Sequence, residues 1–170
     1  MSPASNRLLS QLPATVDPIQ LAENGARLVG ALSRKAMTRL TQACSDDTGE
    51  VRVDLQFGRG EGGNMLELRG NVHAAVRVAC QRCLEPMTLE LHADTRLLLL
   101  RPGVRTDTLA QEVEALTVDR PVSLSELVED ELLLMLPMVP MHPLDACPAK
   151  EQLKMPAATR TGKPLSALRR

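Results

Sequence analysis

Two stretches in the middle of the chain alternate between apolar and mostly polar side chains. From residue 51 to 57 the odd positions are apolar and the even ones polar, which is typical of a strand with one buried face. From 66 to 80 the even positions are apolar or glycine, and the phase continues through Gly70. We therefore predict one long strand bent at Gly70, not a hairpin. Alternation resumes from Met87 to Ala93.

These strands place Cys80, Cys83 and Pro86 in the turn between residues 80 and 86. A second turn is predicted at Gly58–Gly63, because strands flank it on both sides. Backbone amides of such a glycine-rich segment can cradle phosphate, but that geometry needs a following helix N-terminus, which the pattern does not provide. We interpret Gly58–Gly63 as a hairpin connection.

The clearest helix follows Ser123, because Ser123 and Glu126 form a capping-box pattern. Its apolar stripe ends at Pro137 and comprises Leu124, Leu127, Val128, Leu132, Met135 and Leu136. Glu129, Asp130 and Glu131 point in different directions around such a helix and are interpreted as a solvated face. Glu131 lies at the edge of the stripe, where Arg82 is a conceivable partner.

Two weaker helix signals precede the sheet. Ser33 can cap a helix in which Met37, Leu40 and Cys44 share one face, so we expect Cys44 in the core. Asp17–Pro18 suits a helix start, but Asn24–Gly25 follows closely and limits it to a short turn.

The chain of 170 residues, 44% of them hydrophobic, is long enough for one ordinary core. We predict a single α+β domain over residues 15–148, with a mainly antiparallel twisted sheet and two or three helices. Residues 1–14 are expected to be flexible, and residues 149–170 to form an irregular basic tail. The net charge of -1 provides no overall positive field, although residues 107–131 are acidic and the tail carries Arg160, Lys163, Arg169 and Arg170.

The N-terminus has no continuous apolar segment, and prolines interrupt the longest apolar run at about half the roughly 20 residues that span a membrane. We therefore expect a cytoplasmic protein without membrane contact. Thiols stay reduced there, so the four cysteines are interpreted as thiols or metal ligands. One Phe and no Trp or Tyr exclude a stacking platform for single-stranded RNA, but leave backbone contacts through Arg59, Arg77, Arg82 and the tail.

Cys80, Cys83, His142 and Cys147 form a candidate site for one structural zinc ion, provided that the tail folds back over the cysteine turn. The alternative is a buried Cys80 beside idle thiols. A redox pair is less favoured, because redox Cys-x-x-Cys motifs begin helices and here strand follows strand. No serine or cysteine has a recognisable base and orienting acid near it in the sequence, and there is no Walker loop, His-Glu-x-x-His motif or dinucleotide fingerprint. We therefore predict no catalytic residues.

Taken together, several motifs resemble the bacterial YceD family of large ribosomal RNA subunit accumulation proteins. They are Cys80-Gln-Arg-Cys83-Leu-Glu-Pro86, Leu127-Val-Glu-Asp-Glu-Leu132, Leu136-Pro-Met-Val-Pro-Met-His142 and Cys147. The resemblance covers roughly residues 15–170, including Val16-Asp17-Pro18 and Pro164-Leu-Ser-Ala-Leu-Arg169. It implies a role in the synthesis, processing or stability of large-subunit (23S) ribosomal RNA, with no established active site.

We accordingly expect a non-catalytic ribosome-biogenesis factor whose partner is a large-subunit RNA precursor or a ribosomal protein, with no small-molecule substrate. The residues expected at that surface are Arg82, Glu129, Asp130, Glu131, Arg169 and Arg170. Two alternatives remain open: a metal-dependent RNA-processing hydrolase that uses the Cys/His set, and a small scaffold protein unrelated to RNA.

Overall fold

The fold is seen in a computed structural model, which describes residues 12–60, 65–104 and 114–151. In chain order the elements are β1 (Thr15–Val16), α1 (Pro18–Glu23), β2 (Arg27–Ser33), α2 (Thr38–Ala43), β3 (Glu50–Arg59), β4 (Leu66–Ala79), β5 (Pro86–Leu100), β6 (Ala115–Thr117), β7 (Val122–Ser123) and α3 (Leu124–Met135). Short 3-10 turns occupy Arg34–Ala36 and Pro148–Glu151. The predicted α+β class is confirmed.

Five strands form the central sheet in the order β2-β3-β4-β5-β6, and every neighbouring pair is antiparallel except β5 with β6. The strand β4 runs without interruption from Leu66 to Ala79, as the alternation predicts. Gly70 allows β3 and β4 to approach closely, because a Cβ at Gly70 would lie 2.2 Å from the backbone oxygen of Asp54.

One face of this sheet is buried under the helices. The odd positions of β3 and the even positions of β4 point into the core, and α1 and α3 pack on that face. The largest side chains buried there are Phe57, Leu28, Met37, Leu40, Leu55, Leu68, Leu91, Leu124 and Leu132. Polar residues alternate onto the opposite face, which is exposed along the middle of β4 and β5. The sheet therefore presents a rigid polar surface.

The helix after Ser123 begins as predicted, since the Ser123 hydroxyl accepts a hydrogen bond from the Glu126 N–H at 3.3 Å. The helix ends at Met135, just before Pro137. Among residues 12–60, 65–104 and 114–151, no helix is long and apolar enough to cross a membrane.

The predicted start of α2 is wrong. Ser33 ends β2 and its side chain makes no capping hydrogen bond, while α2 begins only at Thr38. Met37 and Leu40 are fully buried as expected, but Cys44 lies beyond the helix end and is only half-buried against the core. The strand β2 was not predicted, because its outward positions Val29 and Ala31 are apolar and its inward position 30 is a glycine, so no alternation is visible.

At the N-terminal end the predicted turn is a helix of six residues. The Asp17 carboxylate accepts a hydrogen bond from the Gln20 N–H at 3.1 Å, and Pro18 occupies the first helical position. Residues 1–11 and 152–170 lie outside the described part of the chain, so the expected flexible N-terminus and basic tail remain predictions.

Candidate metal centre

The turn between β4 and β5 positions the first two candidate ligands. The Cys80 N–H donates a hydrogen bond to the Glu85 carbonyl at 2.9 Å, and the Leu84 N–H donates to the Cys80 carbonyl at 2.8 Å. Leu84 adopts a left-handed conformation with φ of 63°, which turns the chain back on itself. These contacts close the turn and bring Cys83 back beside Cys80.

The segment after α3 folds back over this turn, as the metal hypothesis requires. The Pro140 carbonyl accepts a hydrogen bond from the Gln81 N–H at 2.8 Å. The His142 N–H donates to the Cys80 sulfur at 3.3 Å, and the His142 Nδ1 atom lies 3.3 Å from the Cys83 sulfur. Cys147 is buried in the same cluster.

The four ligand atoms of Cys80, Cys83, His142 and Cys147 all lie within 4.8 Å of one another. In a tetrahedral zinc site the sulfur atoms are about 2.3 Å from the metal and therefore about 3.8 Å apart, so this spacing fits zinc. Cys80 and Cys147 are buried, whereas Cys83 and His142 are half-buried. All four cysteines of the chain are free thiols. The structure thus brings together the whole predicted ligand set.

Backbone amides around Cys80 favour its thiolate. Burial alone would raise the pKa of the Cys80 thiol, but hydrogen bonds from three backbone N–H groups outweigh it and lower the pKa to about 5. The donors belong to Cys83, His142 and Arg82. Burial raises the pKa of the Cys83 thiol, and the neighbouring sulfurs of Cys80 and Cys147 raise it further. Such amide-to-sulfur bonds orient and stabilise a metal-binding thiolate.

Arg82 projects from the cysteine turn toward the returning segment. Its Nη2 atom lies 3.5 Å from the Met141 sulfur. The conceived pairing of Arg82 with Glu131 is wrong, because the Glu131 carboxylate instead accepts a hydrogen bond from the Thr95 hydroxyl at 2.8 Å. Burial raises the pKa of Glu131 above its ordinary value.

The interpretation of the three adjacent acids as one solvated face is also wrong. Glu129 is buried, with 3% of its surface exposed, and its carboxylate accepts hydrogen bonds from the Leu40 N–H at 2.9 Å and from Arg39 at 3.1 Å. Asp130 is exposed and pairs with Arg39 at 2.6 Å. Glu129 thus joins α3 to α2 and is closed to a partner. Arg169 and Arg170 lie outside the described residues, so their place at a partner surface stays a prediction.

Sequence reasoning missed a second group of ligand atoms. His73, Glu90 and His92 lie on the exposed face of the sheet, and one potential ligand atom of each lies within 4.8 Å of the others. The alternating pattern places His73 and His92 at outward strand positions, but it does not show that they face each other. The length of the cysteine turn could have shown that they pair. Ala79 and Pro86 are partners at the two ends of the turn, and six residues before Ala79 and six residues after Pro86 lie His73 and His92.

The fold and the clustered side chains define a class of protein: an α+β domain whose sheet hairpin is joined to a C-terminal segment by three cysteines and one histidine. Residues 68–164 match the family model described as "Large ribosomal RNA subunit accumulation protein YceD". The matched region includes all four candidate ligands.

A curated relative supports the same assignment. The large ribosomal RNA subunit accumulation protein YceD of Haemophilus influenzae is 30% identical over 144 residues, which cover 84% of this chain and 82% of the relative. No solved structure matches the chain. The chain therefore belongs to the YceD family, which confirms the resemblance identified in its motifs.

Proposed function

We propose that this protein is a non-catalytic ribosome-biogenesis factor that acts in the cytoplasm on the synthesis, processing or stability of large-subunit ribosomal RNA. The observation that carries this proposal is the similarity to the Haemophilus influenzae relative, whose name describes accumulation of that RNA and which is matched over 82% of its length. Similarity over most of both chains supports a shared role of the whole domain.

The proposed cofactor is one structural zinc ion held by Cys80, Cys83, His142 and Cys147. Four protein ligands of this kind fill a tetrahedral zinc site and are typical of structural centres, whereas catalytic zinc keeps one position for water or substrate. Zinc bound there would link the β4–β5 turn covalently to the segment after α3. This ligand set therefore favours a role in stability over the metal-dependent hydrolase alternative.

The proposed partner is a large-subunit RNA precursor or a ribosomal protein. Near the cysteine turn several large apolar side chains are exposed, among them Leu84 at 75% and Met138 at 100% exposure. Exposed methionines adapt to partner surfaces, and clustered exposed apolar groups are typical of protein interaction sites. On α3, Glu126 and Asp130 remain exposed, so they can attract a basic ribosomal protein.

The role in RNA accumulation is tested by complementation. A bacterium in which loss of its own YceD relative lowers the ratio of large- to small-subunit ribosomal RNA is supplied with this chain. We expect the ratio to return toward the wild-type value, and the chain to co-sediment with large-subunit precursors at low salt. If the chain is soluble and folded but neither restores the ratio nor co-sediments with the precursors, the proposed function is contradicted.

The zinc site is tested separately on protein purified without chelator or polyhistidine tag. We expect about one zinc ion per chain to survive extensive dialysis, and to be lost in Cys80→Ser and Cys147→Ser. Cys44→Ser is the matched control, since Cys44 lies outside the cluster and should leave the zinc content unchanged. Equal zinc content in all four proteins, or none in any, would refute the site.

A further inference from the structure

Two histidines face each other across the central strands of the sheet. His73 on β4 and His92 on β5 are direct partners in the strand register, and their ring centroids are 4.3 Å apart with planes tilted by 31°. Glu90 occupies the next outward position on β5, and its carboxylate lies 2.8 Å from the His73 Nε2 atom. This juxtaposition is independent of the cysteine cluster and of the proposed function.

The donor atoms suit a divalent transition metal. Two imidazoles and one carboxylate are borderline ligands that zinc, cobalt, nickel and copper bind well. Nitrogen and oxygen ligands about 2.0–2.2 Å from such a metal lie roughly 3 Å from one another, which is the spacing of the His73–Glu90 pair. All three donors lie within 4.8 Å of one another, so small side-chain rotations would complete the set.

The backbone holds these side chains on the most extensive strand pairing of the fold. The strands β4 and β5 pair continuously from Leu66↔Leu99 to Ala79↔Pro86, and the histidines stand near the middle of that ladder. Ligands on paired strands are more precisely placed than ligands on loops. Folding has therefore already fixed the backbone of the site, so a metal would have to order only the side chains.

The surroundings leave the site open to solvent. Ala75 is the partner of Glu90 across the strands, and its small exposed side chain leaves space above the sheet. On the other side of His73, toward β2, lies a groove of about 510 Å³ lined by Val29, Ala31, Arg52 and Asn71 among others. The positive charge nearest in register is Arg52, which stands opposite His73 on β3, away from β5. The negative charge of Glu90, one of the three candidate ligands, offsets part of the positive charge of Arg52.

We propose that His73, Glu90 and His92 form a second metal site, which binds a divalent transition metal ion through three protein ligands and leaves its remaining positions to water. This site differs from the cysteine cluster in two ways: it has no sulfur ligand, and its three protein ligands leave coordination positions open. Its metal should be bound more weakly and exchange more readily.

Cobalt titration of the metal-stripped full chain separates the two sites. Cobalt bound by cysteine gives a sulfur-to-metal charge-transfer band, whereas cobalt bound by histidine and carboxylate gives none. We expect a binding step without that band in the wild-type chain, detected by calorimetry and by the weak visible spectrum of cobalt. His92→Gln and Glu90→Gln should weaken this step by at least about tenfold, as loss of a ligand contact does.

The controls distinguish a specific site from adventitious binding. Arg77→Gln changes an exposed residue of the same face of β4 and should leave both binding steps unchanged, and Cys147→Ser should abolish only the charge-transfer band. Far-UV circular dichroism verifies that each variant is folded. A sulfur-free step that is absent from the folded wild-type chain, or that survives unchanged in both His92→Gln and Glu90→Gln, would overturn the proposal.

Discussion

Replacing Glu129 on α3 should destabilise the protein more than replacing the adjacent acid Asp130. Glu129 is 3% exposed, and its carboxylate accepts a hydrogen bond from the Leu40 N–H at 2.9 Å. The same carboxylate also pairs with the Arg39 guanidinium, with Nε at 3.1 Å and Nη2 at 3.0 Å. The Leu40 N–H belongs to the first turn of α2, where no intrahelical acceptor is available. Glu129 thus caps α2 from a neighbouring helix.

The expected cost follows from these contacts. A hydrogen bond to a charged group contributes about 1.5–3 kcal/mol, and a buried donor left without a partner costs about 1–3 kcal/mol. The Arg39 contact adds little, because the Arg39 side chain is 52% exposed and well solvated. We therefore expect Glu129→Ala to lower the free energy of unfolding by about 2–4 kcal/mol. Glu129→Gln should cost less, since its amide oxygen can still accept from Leu40.

Urea unfolding followed by far-UV circular dichroism measures this effect, because the chain has no Trp or Tyr for intrinsic fluorescence. Asp130→Ala is the matched control: Asp130 is adjacent, acidic and paired with the same Arg39, but exposed, so its loss should cost about 0–1 kcal/mol. If both alanine variants unfold at the same urea concentration with equal slopes, Glu129 is not the acceptor that joins the two helices.

Two further perturbations probe the sheet and the helix α3 that packs on it. Gly70→Ala should prevent the close pairing of β3 with β4, because the new Cβ would lie 2.2 Å from the Asp54 oxygen; a loss above about 2 kcal/mol in urea unfolding is expected, and a neutral effect would contradict the register. Burial raises the pKa of Glu131 above its ordinary 4.5, so its charged form costs stability above that raised pKa and the cost disappears as pH falls toward 4.5. Glu131→Gln should therefore stabilise the protein at neutral pH by less than about 1 kcal/mol after solvent screening, and the difference should vanish in melts at about pH 4. A difference that grows on acidification would reverse the assigned sign.

Where one face of an element is buried, the sequence was sufficient to predict it. The strands β3 and β4, and β5 as far as Ala93, alternate because one face packs under helices while the other meets water. The end of β5 was not predicted, because Leu97–Leu100 are buried on both faces. The capping pattern at Ser123 was equally local and was confirmed. By contrast, β2 is an edge strand whose outward positions include Val29 and Ala31, so its two faces do not differ in polarity enough to show the period.

Buried charges were the least predictable feature. Arg34 is 1% exposed, and its guanidinium donates to the Thr48 carbonyl at 2.5 Å and to the Asp46 carbonyl at 2.7 Å. Glu129 is likewise satisfied by α2, about ninety residues away in sequence. A hydrophobic pattern predicts that every acid or base is exposed to solvent. The hydrogen-bonding partners that offset the cost of burying a charge come together only in the tertiary fold.

The two ligand clusters lead to different expectations for metal-dependent activity. If zinc fills the cysteine cluster with four protein ligands, as proposed, removal of that zinc should destabilise the turn and the returning segment without exposing a reactive metal. A metal-dependent hydrolase needs a water molecule on its metal, and among the described residues the cluster of His73, Glu90 and His92 on the sheet face offers three ligands and leaves room for one. Any metal-dependent turnover by this domain should therefore be abolished by His92→Gln and should survive Cys147→Ser in protein that remains folded. The opposite pattern would place the reactive metal at the cysteine cluster and contradict the structural role proposed for that cluster.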